Sequence, residues 1–148
     1  MSASTRSEWA DHARAVLDQA GRRKGAARNA IIDLLGSQSC ALSALEIEDL
    51  LREGDRRVAR ASIYRILELL IERALITRLE LGDGTARYEL VDPGGNHHHH
   101  LLCDSCGQLV PFHDGDLERS IDRLSRRLGF LTHDHEIVLR GDCSACRS

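Results

Sequence analysis

Along the first half of the chain apolar residues return at helical spacing in separate stretches, and beyond residue 74 they alternate as strands do. Trp9, Val16, Leu17 and Ala20 lie near one stripe of a first helix over residues 8–20, which Gly21 ends, as a glycine just past a helix commonly does. Ala27, Ile31, Leu34 and Leu35 mark a second amphipathic helix that stops at Gly36 and Ser37. Ser43-Ala44-Leu45-Glu46 is a capping box, in which the Ser and Glu side chains each satisfy a backbone amide left open by the first turn. The helix it starts turns Ile47, Leu50 and Leu51 inward and stops near Glu53 and Gly54. A basic turn over residues 55–60 leads to the next helix. Its stripe is Ile63, Ile66, Leu67 and Leu70, and its opposite face presents Arg60, Ser62, Tyr64 and Arg65. Two strands follow, over residues 75–81 and 86–91, joined through Asp83-Gly84, a strong hairpin signal. Helices followed by a two-stranded ribbon predict a winged helix-turn-helix over residues 1–91.

Residues 92–96, Asp-Pro-Gly-Gly-Asn, combine turn formers with almost no apolar surface and predict a hinge. Beyond them strands are expected over residues 97–102 and 108–112, around a C-x2-C-G knuckle. Leu117, Ile121, Leu124 and Leu128 mark a helix ended by Gly129, and residues 136–140 alternate as a last strand with Ile137 and Leu139 on one face. The fold class is therefore α+β, a winged helix-turn-helix followed by a small α/β domain over residues 97–148. A unit of that size is marginal alone, so a bound metal and a dimer interface would both help it.

Composition narrows the class. The chain has 148 residues, 42% apolar but only 3% aromatic, so a core is affordable and must be aliphatic. No apolar run approaches the ~20 residues that cross a bilayer, and Met1 to Trp9 lacks the apolar core of a signal peptide. A cytoplasmic protein with no membrane partner is expected. Residues 1–91 hold 14 basic and 14 acidic side chains, and residues 92–148 hold 6 and 9, which gives the net charge of −3. Within the neutral half the positive charge is gathered into two clusters, Arg22-Arg23-Lys24 with Arg28, and Arg56, Arg57, Arg60 and Arg65. Such local patches suit nucleic acid.

The chemistry-bearing residues follow. Cys103 with Cys106, and Cys143 with Cys146, are two C-x2-C pairs; each bend aims two thiolates at one point, and two bends complete a tetrahedral S4 site for Zn2+. In a reducing cytosol this outranks two small disulfides. A closed site of this kind predicts stability, not catalysis. Four histidines, His97 to His100, lead into the first pair. In an extended segment His97 and His99 face one way and His98 and His100 the other, so one run can feed two metal sites. Glu89, Glu118, His133, His135 and the lone Cys40 are candidates to complete them. Arg60, Ser62, Tyr64 and Arg65 stand near the start of the candidate recognition helix, where helix-turn-helix proteins contact bases. Arg22, Arg23 and Lys24 could meet phosphates or a minor groove.

The H-H-H-H-L-L-C-D-S-C-G stretch, the R-A-S-I-Y-R-I-L helix and the terminal C-x2-C together resemble the ferric uptake regulator superfamily, from about Gly21 to Cys146. The resemblance implies a homodimeric, metal-responsive transcriptional repressor with a winged-helix domain and a dimerisation domain. It implies that Cys103, Cys106, Cys143 and Cys146 hold structural zinc, that His97, His99, Glu118 and His135 form a site within the dimerisation domain, and that Glu89, His98 and His100 belong to a regulatory site at the hinge. Tyr64 and Arg65 match recognition-helix residues, and Arg23 matches the basic residue that approaches the minor groove. Two positions depart from the pattern. Cys40 stands where the family often has a histidine, and Pro111 stands near a position often filled by a carboxylate.

These departures bear on the metal. Cys40, Glu89, His98 and His100 would make a tetrahedral site suited to Zn2+, whereas iron and manganese sensing usually wants more oxygen ligands. A zinc-responsive regulator of double-stranded operator DNA is expected, with Fe2+ as the alternative regulatory metal. A peroxide sensor of the same family ranks lower, because Glu89 stands where such members usually have aspartate. A thiol redox switch through Cys40 is a further class. A zinc hydrolase would need an open metal with a positioned base, and no H-E-x-x-H or phosphate-binding glycine loop is present, so no enzyme is expected.

Overall fold

A computed structural model describes residues 3–21, 25–92 and 98–147. The hinge positions 93–96 and the predicted site residues Arg23 and His97 lie outside the described residues. The chain divides into two compact units, Met1–Gly95 and Asn96–Ser148.

In the first unit, α1 (Ala3–Gln19) and α2 (Ala26–Ser37) are followed by β1 (Leu42–Ser43), α3 (Ala44–Glu53), α4 (Arg60–Glu72), β2 (Ile76–Glu80) and β3 (Ala86–Leu90). The strands form one antiparallel sheet in the order β1-β3-β2, with Arg78 opposite Tyr88 and Leu42 opposite Tyr88 on the other side. The core is aliphatic, as the composition requires. Leu17, Ile31, Ile32, Ile47, Ile63, Leu67 and Leu70 are buried around Trp9, each contributing about 1.5–3 kcal/mol over the exposed state. The indole of Trp9 satisfies its one donor by giving a 2.9 Å hydrogen bond to the Leu75 carbonyl. Buried Arg28 pairs with Asp18 at 2.9 Å, so α2 is tied to α1 by a charge as well as by packing.

Local sequence signals account for the element boundaries. In the capping box the Glu46 amide donates to Ser43 Oγ at 3.2 Å and the Ser43 amide donates to Glu46 Oε2 at 2.7 Å. The hairpin between β2 and β3 turns at Gly82 and Gly84, whose φ values of +82° and +77° suit glycine, and the Thr85 amide donates to Asp83 Oδ1 at 3.0 Å. α1 starts earlier than residue 8, because residues before Trp9 carry no apolar stripe from which the periodicity could be read. The two-residue β1 was not foreseen, since a strand that short has no alternation to detect.

The second unit contains β4 (His99–Cys103), β5 (Leu109–Phe112), α5 (Gly115–Arg127) and β6 (Val138–Gly141). The sheet order is β5-β4-β6; β4 runs antiparallel to β5 and parallel to β6. Parallel neighbours need a crossover, and α5 lies in that connection. Asp114 caps α5 by accepting from the amides of Asp116 and Leu117, both at 2.9 Å. Asp116 and Glu118 in its first turn and Arg126 and Arg127 in its last complement the helix dipole. One face of this sheet stays bare: Leu101 is opposite Val110 on one side and Leu139 on the other, and all three are exposed.

Candidate metal centres and nucleic-acid face

The knuckle between β4 and β5 brings Cys103 and Cys106 together, and the turn after β6 returns Cys143 and Cys146 to the same point. All four Sγ atoms lie within 4.8 Å of one another. The Cys106 and Cys143 sulfurs are 3.8 Å apart, the edge length of a tetrahedron whose metal–sulfur bonds are about 2.3 Å. All the cysteines are free, so the two pairs are not disulfides. The Cys143 amide donates to Cys103 Sγ at 3.3 Å. Hydrogen bonds from the backbone of Cys143 and of Cys106 hold the Cys103 thiol down to about 6. Hydrogen bonding with the Cys143 and Cys106 thiols pushes Cys146 up to about 12. Four sulfurs this close cannot all carry charge without a cation among them, and their spacing fits zinc.

A second group of ligand atoms sits on the same unit. His99 on β4, Glu118 on α5 and His135 before β6 have ligand atoms within 4.8 Å of one another. The Glu118 carboxylate bridges the two imidazoles, with Oε1 at 2.8 Å from His99 Nε2 and Oε2 at 3.0 Å from His135 Nε2. His99 is fully buried; its ring centroid lies 5.1 Å from that of His135 and 5.5 Å from that of Phe112. Phe112 reaches this place because it is the register partner of His99. A cleft of about 450 Å³ opens beside Glu118 and His135, lined also by Phe130, Leu131, His133 and Asp134. Three of the four residues assigned to this site are thus brought together, and the fourth, His97, is the one outside the described residues.

The residues assigned to the regulatory site are described within their own units. In the second, His98 and His100 lie side by side with ring centroids 5.2 Å apart, while His99 packs against Phe112 and His135, as alternation requires. Pro111, which offers no ligand, is the register partner of His100. In the first, Glu89 is half-buried on β3 opposite Thr77. Cys40 is half-buried before β1, and its thiol is pushed up to about 11, chiefly by burial, with the Glu89 carboxylate adding in the same direction. Among the described residues Cys40 belongs to no cluster of three ligand atoms within 4.8 Å.

On α4 the side chains divide as the pattern predicts. Ile63, Leu67 and Leu70 are buried; Arg60, Tyr64 and Arg65 are exposed, and Ser62 is half-buried. Tyr64, with 44% of its surface open to solvent, is an aromatic that the core has not claimed. Arg60 is not a free cation: its Nε donates to Glu48 Oε2 on α3 at 2.7 Å. The sequence reading had no means of seeing that bond, because the residues stand twelve positions apart on different helices.

The sequence pattern of the ferric uptake regulator family matches residues 19–140. The ferric uptake regulation protein of Bacillus subtilis is 34% identical over 114 residues, 76% of each chain. The solved ferric uptake regulator of Helicobacter pylori, 24% identical, superposes with a TM-score of 0.83 over 97% of this chain and 95% of its own, which shows a shared fold. A zinc uptake regulator solved with zinc and DNA, 25% identical, covers 96% of this chain and 95% of its own with a TM-score of 0.56.

Proposed function

The chain belongs to the ferric uptake regulator family of metal-responsive transcription regulators, which are not enzymes, and on that premise we propose that it is a zinc-responsive repressor binding operator DNA as a homodimer. One observation carries this: a helix with an exposed Arg60, Tyr64 and Arg65 belongs to a chain that also gathers a closed set of four thiols and an open His99–Glu118–His135 set. The first set would hold zinc permanently, because no coordination position is left for exchange. The second, with His97 as its further ligand, would hold a metal that solvent can reach through the adjoining cleft.

The regulatory metal is assigned to Glu89, His98 and His100, with Cys40 as fourth ligand. Thiolate, carboxylate and two imidazoles suit tetrahedral zinc. Pro111, the register partner of His100, carries no side-chain oxygen, which supports zinc over iron or manganese. Metal and DNA then each tighten the other's binding by the same factor. α4 would enter the major groove with Arg60, Ser62, Tyr64 and Arg65, and Arg23 would reach the minor groove. Two copies would read half-sites about 34 Å apart. The bare row of Leu101, Val110 and Leu139, with exposed Leu128, Phe130 and Leu131, supports self-association of the second unit. Among the described residues no helix is long and apolar enough to cross a membrane, which is compatible with a cytoplasmic site of action.

The Bacillus subtilis relative is named for ferric uptake, so Fe2+ is the second reading. A peroxide or thiol switch through Cys40 is disfavoured, since the thiolate is the reactive form and burial keeps this thiol protonated near neutral pH. The test is a titration of a duplex selected from a random pool with Zn2+, Fe2+, Mn2+ and Ni2+ in parallel. Salt is held fixed, because phosphate contacts make affinity salt-dependent. Zinc is expected to tighten binding most. A larger response to Fe2+ would establish the second reading, and no response to any metal would end both.

A further inference from the structure

Arg60 is the first residue of α4, an awkward place for a cation. The N-terminus of a helix carries the positive end of its dipole, and α4 has neither an acidic residue in its first turn nor a side-chain cap at Ala59. The compensating charge comes from another helix. Glu48 on α3 uses Oε2 to accept from Arg60 Nε at 2.7 Å and Oε1 to accept from Arg52 Nη2 at 3.2 Å. The Glu48 side chain is only 19% exposed, whereas Arg60 is 58% exposed. The carboxylate is therefore the fixed partner and the guanidinium the presented one. Pairing with Arg60 holds the Glu48 carboxyl below its usual range.

The choice of nitrogen matters. Glu48 occupies Nε, and among the described residues no further hydrogen bond engages the two Nη groups of Arg60. Those Nη groups form the end-on edge that pairs with O6 and N7 of guanine. Tyr64 follows one turn later on the same face of α4. An exposed ion pair contributes little stability by itself, so the consequence of this bond lies in orientation.

We propose that Glu48 is a positioning residue for base readout: it fixes Arg60 by Nε so that the Nη edge meets a guanine in each half-site, and its negative charge opposes capture of Arg60 by phosphates. This rests on the DNA-binding reading of α4 given above. Zinc-loaded full-length protein would be challenged with a random duplex pool, and the enriched sequences compared among wild type, Arg60→Ala, Glu48→Ala and Glu48→Gln. Arg60→Ala is expected to erase a guanine preference of roughly tenfold at one symmetric pair of positions, and Glu48→Ala to erase the same preference while leaving the rest of the motif. Glu48→Gln keeps an acceptor for Nε, so it should restore the guanine preference. Having lost the charge, it should bind unselected duplex roughly twofold to fivefold more tightly. Alanine is a strong helix former, so Glu48→Ala preserves α3. If Glu48→Ala keeps the full guanine preference, or Glu48→Gln fails to restore it, the positioning role is wrong. If the wild type enriches no sequence with any metal, the DNA-binding reading itself has failed.

Discussion

The second unit holds two ligand clusters built on opposite principles. Cys103, Cys106, Cys143 and Cys146 come from two tight turns, converge without oxygen or nitrogen ligands, and are tied by a backbone amide to sulfur. His99, Glu118 and His135 come from a strand, a helix and a loop, and are already joined by hydrogen bonds through one carboxylate beside a cleft of about 450 Å³. The thiols can all be deprotonated within 4.8 Å of one another only with a cation among them. The imidazole–carboxylate set can rest without one. On the proposed reading, metal at the first cluster would be a condition of folding, and metal at the second a ligand that comes and goes.

That contrast is broken most decisively at the thiols. Cys143→Ser is expected to remove one zinc per chain and with it of the order of 10 kcal/mol of coupled binding and folding free energy. Metal analysis and hydrogen exchange at the β4 amides would record this. A variant that stays protected without the zinc would make the S4 cluster dispensable. Glu118→Ala should act more narrowly. It removes the bridging carboxylate, so competition with a chelator should show exchangeable metal held at least about 100-fold more weakly, with the thiol-bound zinc retained and the fold intact. Loss of both metals together would mean that the clusters do not differ in kind.

The smallest effect concerns Cys40. Its thiol is raised from 9.0 to about 11. The folded chain therefore keeps a proton that the unfolded chain gives up above its ordinary value. Its contribution to stability is fully present below pH 9 and is lost as pH rises through about 11. Denaturant midpoints measured in chelator across that range should fall for the wild type and fall less for Cys40→Ala. Equal declines would remove burial as the cause.

Much of this was legible in the sequence, for local reasons. The capping box at Ser43 and Glu46 and the stripe of α4 are short-range patterns, and the structure realises each. The C-x2-C spacing likewise pointed to four convergent thiols. The register that sets Phe112 beside His99, the parallel pairing of β4 with β6 and the Glu48–Arg60 bond were not legible. Each joins residues whose sequence separation carries no periodicity, and only packing decides them. The identities of the His99 partners lie between these cases. Alternation divided the histidines into two sets, but the residues alone left Glu118 and His135 among several candidates, and the family resemblance singled them out.

On the proposed reading the S4 zinc holds the fold, and the metal assigned to Glu89, His98 and His100 reports to DNA. The most direct test is a graded chelator titration in which zinc per chain, circular dichroism and affinity for the selected duplex are followed together at fixed salt. DNA affinity is expected to collapse while one zinc per chain and the full circular dichroism signal remain. If affinity is unchanged until the last zinc and the fold are lost in the same step, the division of labour between the two kinds of site does not exist.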